Sequence, residues 1–257
     1  MHIRSDVELA NLTDVGCERA ENEDYYCYLE PENDEQFKRK GRLLAVADGM
    51  GGHTGGQIAS GLAVEALRDV FLHEDITDPH QLLVEGFSRG QQAILTHAEA
   101  HPELNGMGTT CTAAIVRSDG LTYGHIGDSR LYLLRDGTLT QLTDDDSLVN
   151  QLVKNGVITP EQAMHHEKRN VLTAALGMRA QEVSAAFSEQ PIPLFEDDTL
   201  VLASDGLHGM VTAEEIERVV AAQTPYEACR TLVDLAKQRG GPDNITVQVL
   251  HLRPEHS

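Results

Sequence analysis

The sequence predicts an α+β fold built on antiparallel β-sheets. Three observations carry that prediction. Strands and helices come in blocks rather than in strict alternation, which argues against a parallel sheet. Residues 109–142 read as a strand-rich meander, broken by the turn signals Ser118-Asp119-Gly120 and Asp136-Gly137, which join antiparallel neighbours. Elsewhere, several segments open with helix-capping signatures.

The elements follow in chain order. Leu43-Leu44-Ala45-Val46-Ala47 is a short apolar run ending at Asp48, the pattern of a buried strand. The glycine-rich stretch from Gly49 to Gly56 reads as a loop leading into a helix over 57–72. A second helix is predicted over 79–100, where Leu82, Leu83, Phe87, Ala93, Ile94 and Leu95 fall near helical spacing. Strands follow at 109–116, 121–126, 130–134 and 139–142. The stretch 143–177 is less regular. It contains one helix start, Thr159-Pro160-Glu161-Gln162, with Thr as cap, Pro at the first position and Gln reaching back. Residues 199–204 form an apolar strand ending at Asp205-Gly206. Two capping boxes, Thr212-Ala213-Glu214-Glu215 and Thr224-Pro225-Tyr226-Glu227, open two helices, the second stopping near Gly240-Gly241. Residues 245–250 are a final strand.

The 257 residues suit one large domain or two small ones, and 40% apolar composition reads as globular. No internal repeat or low-complexity linker divides them. No long apolar span and no basic-then-apolar leader is visible, so a soluble cytoplasmic chain is expected. With 20 Lys+Arg against 41 Asp+Glu, the formal charge is -21, which argues against nucleic acid and against an anionic membrane surface. The acidity serves solubility, and some of the acids have the pattern of cation ligands. The four cysteines form no CxxC pair, so zinc is not expected and reduced thiols are. The 12 histidines include no HExxH, and adjacent His165-His166 are poorly spaced for one helix face; most read as surface residues.

One pattern recurs among the acids. Asp48, Asp128 and Asp205 each follow an apolar strand beside glycine, and Asp243 immediately precedes the last strand. Strand ends of one core can converge on one edge. Carboxylates gathered there repel unless a divalent cation offsets their charge. A single Asp-Gly is ordinarily just a turn, and Asp136-Gly137 is read as one. The oxygen-only donor set selects Mg2+ or Mn2+ over zinc or copper. Two such ions can share a carboxylate, activate water and neutralise a phosphoryl group. Arg19, close to Glu23 and Asp24, is the candidate fork for phosphate.

At this point the sequence resembles a known family. Arg19, Asn22-Glu23-Asp24, Asp48-Gly49-Met50-Gly51-Gly52-His53, Gly108-Thr109-Thr110, Gly127-Asp128-Ser129-Arg130, Ser204-Asp205-Gly206-Leu207 and Asp243-Asn244-Ile245-Thr246 occur in the order of the protein phosphatase 2C family, in its bacterial stand-alone branch. The ordered set, from near Thr13 to Val249, carries the resemblance rather than any one motif.

The resemblance implies a four-layer αββα sandwich, two antiparallel sheets flanked by helices, as a single catalytic domain over 1–257. It implies a metal-dependent serine/threonine protein phosphatase that acts on phosphorylated proteins through metal-activated water. Asp48, Asp205 and Asp243 would hold one ion; Glu23, Asp48 and the Gly49 carbonyl a second. Asp24 would orient metal-bound water, and Asp128 with Asp205 would hold a third, weaker ion. Arg19 would bind the phosphate, and Asn244 would steady the Asp243 loop from behind. Many relatives carry His directly after the Asp-Gly pair as a proposed acid for the leaving group. Met50 stands there, which leaves a metal-bound water or His53 as candidates. Residues 144–177 match the family's flap, but Asp146 and Ala174 replace residues often found as His and a basic side chain. The flap is expected to shape recognition of the protein substrate. No covalent phosphoenzyme is expected.

The main alternative is a catalytically silent pseudo-phosphatase used as a binding module; the complete carboxylate set argues against it. A phosphodiesterase or nuclease is disfavoured by the negative charge, and a structural domain with incidental acids by the ordered motifs. A cognate serine/threonine kinase is the expected opposing partner, or else a phosphorylated regulator of the anti-sigma type. A monomer is expected.

Overall fold

Residues 6–51, 54–178 and 184–253 are described by the computed structural model. Strand alternation generates the layers. In β3 (Arg42–Met50), Leu43 and Ala45 point to one face while Leu44 and Val46 point to the other. The same split runs through β5 (Cys111–Arg117): Cys111, Ala113 and Ile115 on one side, Ala114 and Val116 on the other. A sheet apolar on both faces must be covered twice. One face packs under α2 (Thr54–His73) and α3 (Pro79–Ala100) through Ala63, Leu67, Leu83, Phe87 and Ile94. The other meets the second sheet through Leu131, Leu133, Leu200, Leu202 and Leu250. That second sheet is covered in turn by α7 (Ala213–Ala222) and α8 (Pro225–Gln238), whose Ile216, Val220, Leu232 and Val233 pack on Tyr132, Val201, Val247 and Val249. Three apolar cores thus separate four layers, αββα, as the family resemblance implies.

The first sheet contains β2 (Asp24–Leu29), β3, β5, β6 (Gly120–Ile126) and β9 (Ala186–Phe187) in that order, with β4 (Gly108–Thr109) paired to the end of β3. The second runs β1 (Val7–Asp14), β11 (Ile245–Leu252), β10 (Thr199–Ala203), β7 (Arg130–Arg135), β8 (Thr138–Gln141). Every strand pair is antiparallel. Asp136 and Gly137 both take positive φ, 51° and 76°, and close the β7–β8 hairpin as the ordinary turn expected. The remaining helices are short: α1 (Asp34–Lys40), α4 (Leu148–Lys154), α5 (Pro160–Met164) and α6 (Asp205–His208).

Several expectations shift in detail. The strand read as 43–47 continues to Met50, so Asp48 and Gly49 lie inside it. The run expected as one strand from 109 is broken at Thr110, whose N–H donates to the Asp48 carbonyl at 2.9 Å. The capping boxes of α5, α7 and α8 form as predicted. All four cysteines are free thiols. Among the described residues, no helix is long and apolar enough to cross a membrane. Arg42 is among the charged side chains deep in the fold: 2% exposed, it is held by Glu30 at 3.0 Å and Asp6 at 2.6 Å.

Candidate functional site

The acids meet at one edge of the sandwich because each lies where a strand begins, ends or changes sheet. Asp24 opens β2 directly opposite Asp48 on β3. Asp205 opens α6 just after β10, and Asp243 just precedes β11, the neighbour of β10. Asp128 occupies the turn between β6 and β7, where the chain passes from one sheet to the other. Asp48 feels all four: burial raises its carboxyl well above the ordinary range, and Asp24, Asp205, Asp128 and Asp243 raise it further. Burial, then Asp205 and Asp145, push Asp128 well up in the same way. Asp205 is raised by burial and Asp243, partly offset by a hydrogen bond to Asp48. Burial pushes Asp24 up to about 7 against the opposing pull of its hydrogen bonds.

Two carboxylate oxygens, Asp24 Oδ1 and Asp205 Oδ1, are buried without a hydrogen-bond partner. Among the described residues no three of these side chains already close on one point as a ready-made cage. Asp48 and Asp205 are hydrogen-bonded to each other, and Arg19 Nη2 holds Asp243 Oδ2 at 2.8 Å. These are pairings that share a proton or borrow a cation to offset like charge. The oxygen-only donors and the orphaned buried oxygens fit a hard divalent cation.

The second layer is built from the backbone outward. Glu23, 7% exposed, lies beside Gly56: a Cβ there would stand 2.2 Å from Glu23 Oε2. A Cβ on Gly49 would stand 2.1 Å from the Gly56 carbonyl oxygen, so this close crossing of β3 and α2 admits only glycine. The Glu23 carbonyl accepts from Ser60 Oγ at 2.6 Å and from the Gly49 N–H at 3.2 Å. Asn244 does more than steady its own loop. Its Oδ1 accepts from the Glu23 N–H at 2.8 Å, and its Nδ2 donates to the Val15 and Glu21 carbonyls, both at 3.0 Å. It therefore pins the loop that carries Arg19 and Glu23, while its own N–H donates to Asp243 Oδ1.

Other contributors were not visible as site residues in the sequence. Ser204 Oγ donates to Asp24 Oδ2 at 2.8 Å and accepts from the Thr246 N–H at 2.9 Å, tying the two sheets together behind the carboxylates. His208 Nε2 lies 2.9 Å from the Asp128 carbonyl; burial, then Arg130, hold its pKa down to about 3, so it is neutral. His125 is 1% exposed in the core rather than on the surface. His53, the candidate acid, lies outside the described residues.

Residues 144–177, expected as the flap, join this edge through Arg130, which pairs bidentately with Asp145 at 2.9 and 2.7 Å, and through Asp146, whose Oδ2 accepts from the Gly127 N–H at 3.0 Å. A cavity of about 750 Å³ separates flap from site, lined by Val149, Val153, Arg169, Asp128, Asp205 and His208 among others.

A family model described as protein phosphatase 2C matches residues 30–238. The chain belongs to the protein phosphatase 2C family. Similar proteins include the serine/threonine protein phosphatase PstP of Mycobacterium tuberculosis, 41% identical over 84% of this chain, and the putative protein phosphatase 2C-type of Streptococcus pyogenes, 37% identical over 97%. The chain spans 41% of the length of PstP but 99% of the streptococcal protein. Among solved structures, the catalytic domain of the serine/threonine protein phosphatase PstP with two manganese ions superposes with a TM-score of 0.82 at 38% identity, covering 96% of this chain and 99% of that one. Stp1 of Staphylococcus aureus superposes with a TM-score of 0.86 at 31% identity, covering 99% and 98%.

Proposed function

We propose that this chain is a metal-dependent serine/threonine protein phosphatase. The observation that carries the reading is the meeting of Asp24, Asp48, Asp128, Asp205 and Asp243 at one edge, where burial and neighbouring carboxylates raise the first four. Asp48, Asp205 and Asp243 would hold one ion, Glu23, Asp48 and the Gly49 carbonyl a second, and Asp128 with Asp205 a third. Bound there, Mg2+ or Mn2+ supplies Lewis acidity that makes water nucleophilic near neutral pH and offsets phosphoryl charge. The chain's own residues orient the rest. Ser204 occupies Asp24 Oδ2, so Asp24 Oδ1 is the oxygen left to accept a proton from water. Arg19 exchanges Asp243 for the substrate phosphate, since its half-exposed guanidinium can turn towards the cleft. The flap and its cavity bind the protein around the phosphorylated residue. No side chain need be phosphorylated.

The substrates are phosphoserine or phosphothreonine proteins, with a cognate kinase as the opposing activity, in a cytoplasmic signalling role for a monomer. The test is phosphate release from a phosphothreonine peptide with Mn2+, with Mg2+ and after chelation, for wild type and Asp205→Asn. Metal-dependent release lost in the variant is expected. A folded wild type that releases no phosphate with either metal would overturn the reading.

A further inference from the structure

Behind the Asp128 turn lies a chain of buried polar groups that the proposed mechanism does not use. Thr110, Thr112, His125 and Ser129 are each no more than 2% exposed. The Asp48 N–H donates to Thr110 Oγ1 at 2.9 Å, and Thr110 Oγ1 meets Ser129 Oγ at 2.7 Å. Thr112 Oγ1 stands 2.7 Å from the Ser129 carbonyl and 2.8 Å from His125 Nδ1. His125 Nε2 stands 3.1 Å from the carbonyl of Asp144, where the flap begins.

The protons do not suffice for every contact. The Ser129 and Asp144 carbonyls can only accept, Thr112 has one hydroxyl proton, and a neutral imidazole has one N–H. Burial, the largest influence on His125, lowers its pKa and keeps the ring neutral, despite the opposing pull of Asp146 and Asp145. With the proton on Nε2, the ring serves the Asp144 carbonyl, its Nδ1 takes the Thr112 proton, and the Ser129 carbonyl loses its donor. With the proton on Nδ1, Thr112 is free to serve Ser129, and the bare Nε2 faces the Asp144 carbonyl. Serving both carbonyls at once would leave Nδ1 and Thr112 Oγ1 facing each other 2.8 Å apart with no proton between them; while that contact holds its proton, the pair satisfies the flap root or the Asp128 turn, but not both.

We propose that His125 and Thr112 are positioning residues that couple docking of the flap root to the seat of the Gly127–Asp128–Ser129 turn. This rests on the reading of Asp128 as a cation ligand. By reciprocity, a cation that settles the turn alters flap docking, and flap docking alters the affinity of that cation.

The test is hydrogen exchange of the intact chain with and without Mn2+, on wild type, Thr112→Val and Thr112→Ser. In wild type and Thr112→Ser, Mn2+ changes exchange across residues 144–177. In Thr112→Val that response falls at least threefold, while exchange in Pro225–Gln238 stays at the wild-type rate. A wild type without the response, a valine variant that keeps it, a serine variant that loses it equally, or a valine variant that exchanges faster throughout, α8 included, would each overturn the coupling. The 15N shifts of the wild-type His125 ring should report one protonated and one bare nitrogen. Two protonated nitrogens at neutral pH would remove the proton shortage and overturn the proposal. A chain that shows the coupling yet releases no phosphate would sink the functional reading and leave this one standing.

Discussion

Replacing Asp24 by Asn should stabilise the metal-free protein at alkaline pH and weaken it as a metalloprotein. Asp24 titrates at about 7 in the fold against an ordinary 3.8. The folded state therefore binds more protons than the unfolded state between those values. Its stability contribution is complete below 3.8 and is lost as pH rises through about 7. At about 1.4 kcal/mol per pH unit the whole loss is on the order of 4 kcal/mol, of which about 3 falls between pH 5 and pH 8. Asn carries no charge and escapes that loss. Its Nδ2 would stand where Asp24 Oδ1 has no partner, costing about 1–3 kcal/mol at every pH. The variant should thus gain about 3 kcal/mol on wild type between pH 5 and pH 8, or about 5–10 °C in melting temperature for a chain of this size. The assay is thermal unfolding in chelator at both pH values, repeated with Mn2+, where the wild type should be stabilised more than the variant. A difference between the two proteins that stays constant from pH 5 to pH 8 in chelator would refute the reasoning.

Other predictions follow from single contacts. Ser204→Ala removes the donor to Asp24 Oδ2 and the acceptor of the Thr246 N–H; it should cost about 1–3 kcal/mol in chemical denaturation and lower kcat more than it raises KM. Gly56→Ala drives a methyl group into Glu23 Oε2 and to 2.8 Å from the Gly49 backbone, so Mn2+ calorimetry should show fewer or weaker sites and thermal unfolding a lower melting temperature. Arg42→Met removes the cation that the buried Glu30 carboxylate faces and should cost about 3–5 kcal/mol in urea unfolding, with Mn2+ affinity unchanged because the pair lies away from the site. Arg19→Ala should raise KM for a phosphopeptide roughly tenfold with little loss of folding stability, the side chain being half-exposed.

The parts of this architecture legible in the sequence are those written in local pattern. Leu43 to Val46 alternate between two cores, and the glycine after Asp48 marks a close backbone crossing. The capping boxes at Thr159, Thr212 and Thr224 name their helices outright. Strands β1 and β2 were not legible: β1 reads VELANLTD, with polar residues on the wet side of an edge, and β2 begins with the buried acid Asp24. Helix α1 buries none of its residues and so carries no apolar stripe. Within the site, the carboxylates could be picked out as strand-end acids, but their supports could not. Ser204 acts on a residue 180 positions away and Asn244 on one 221 away, and Thr112 and His125 read as ordinary strand residues until the sheets are assembled. Asp146 looked like a loss at a position where His is common. In the fold it accepts the Gly127 N–H and braces the turn that carries Asp128.

The central claim is that the carboxylate edge is a seat for divalent cations. Anomalous diffraction at the manganese edge, from crystals grown with Mn2+, tests it most directly. One peak is expected among Asp48, Asp205 and Asp243 and a second beside Glu23, Asp48 and the Gly49 carbonyl, both absent from crystals of Asp48→Asn. Fully ordered side chains with no peak at that edge, or peaks only elsewhere on the acidic surface, would contradict it.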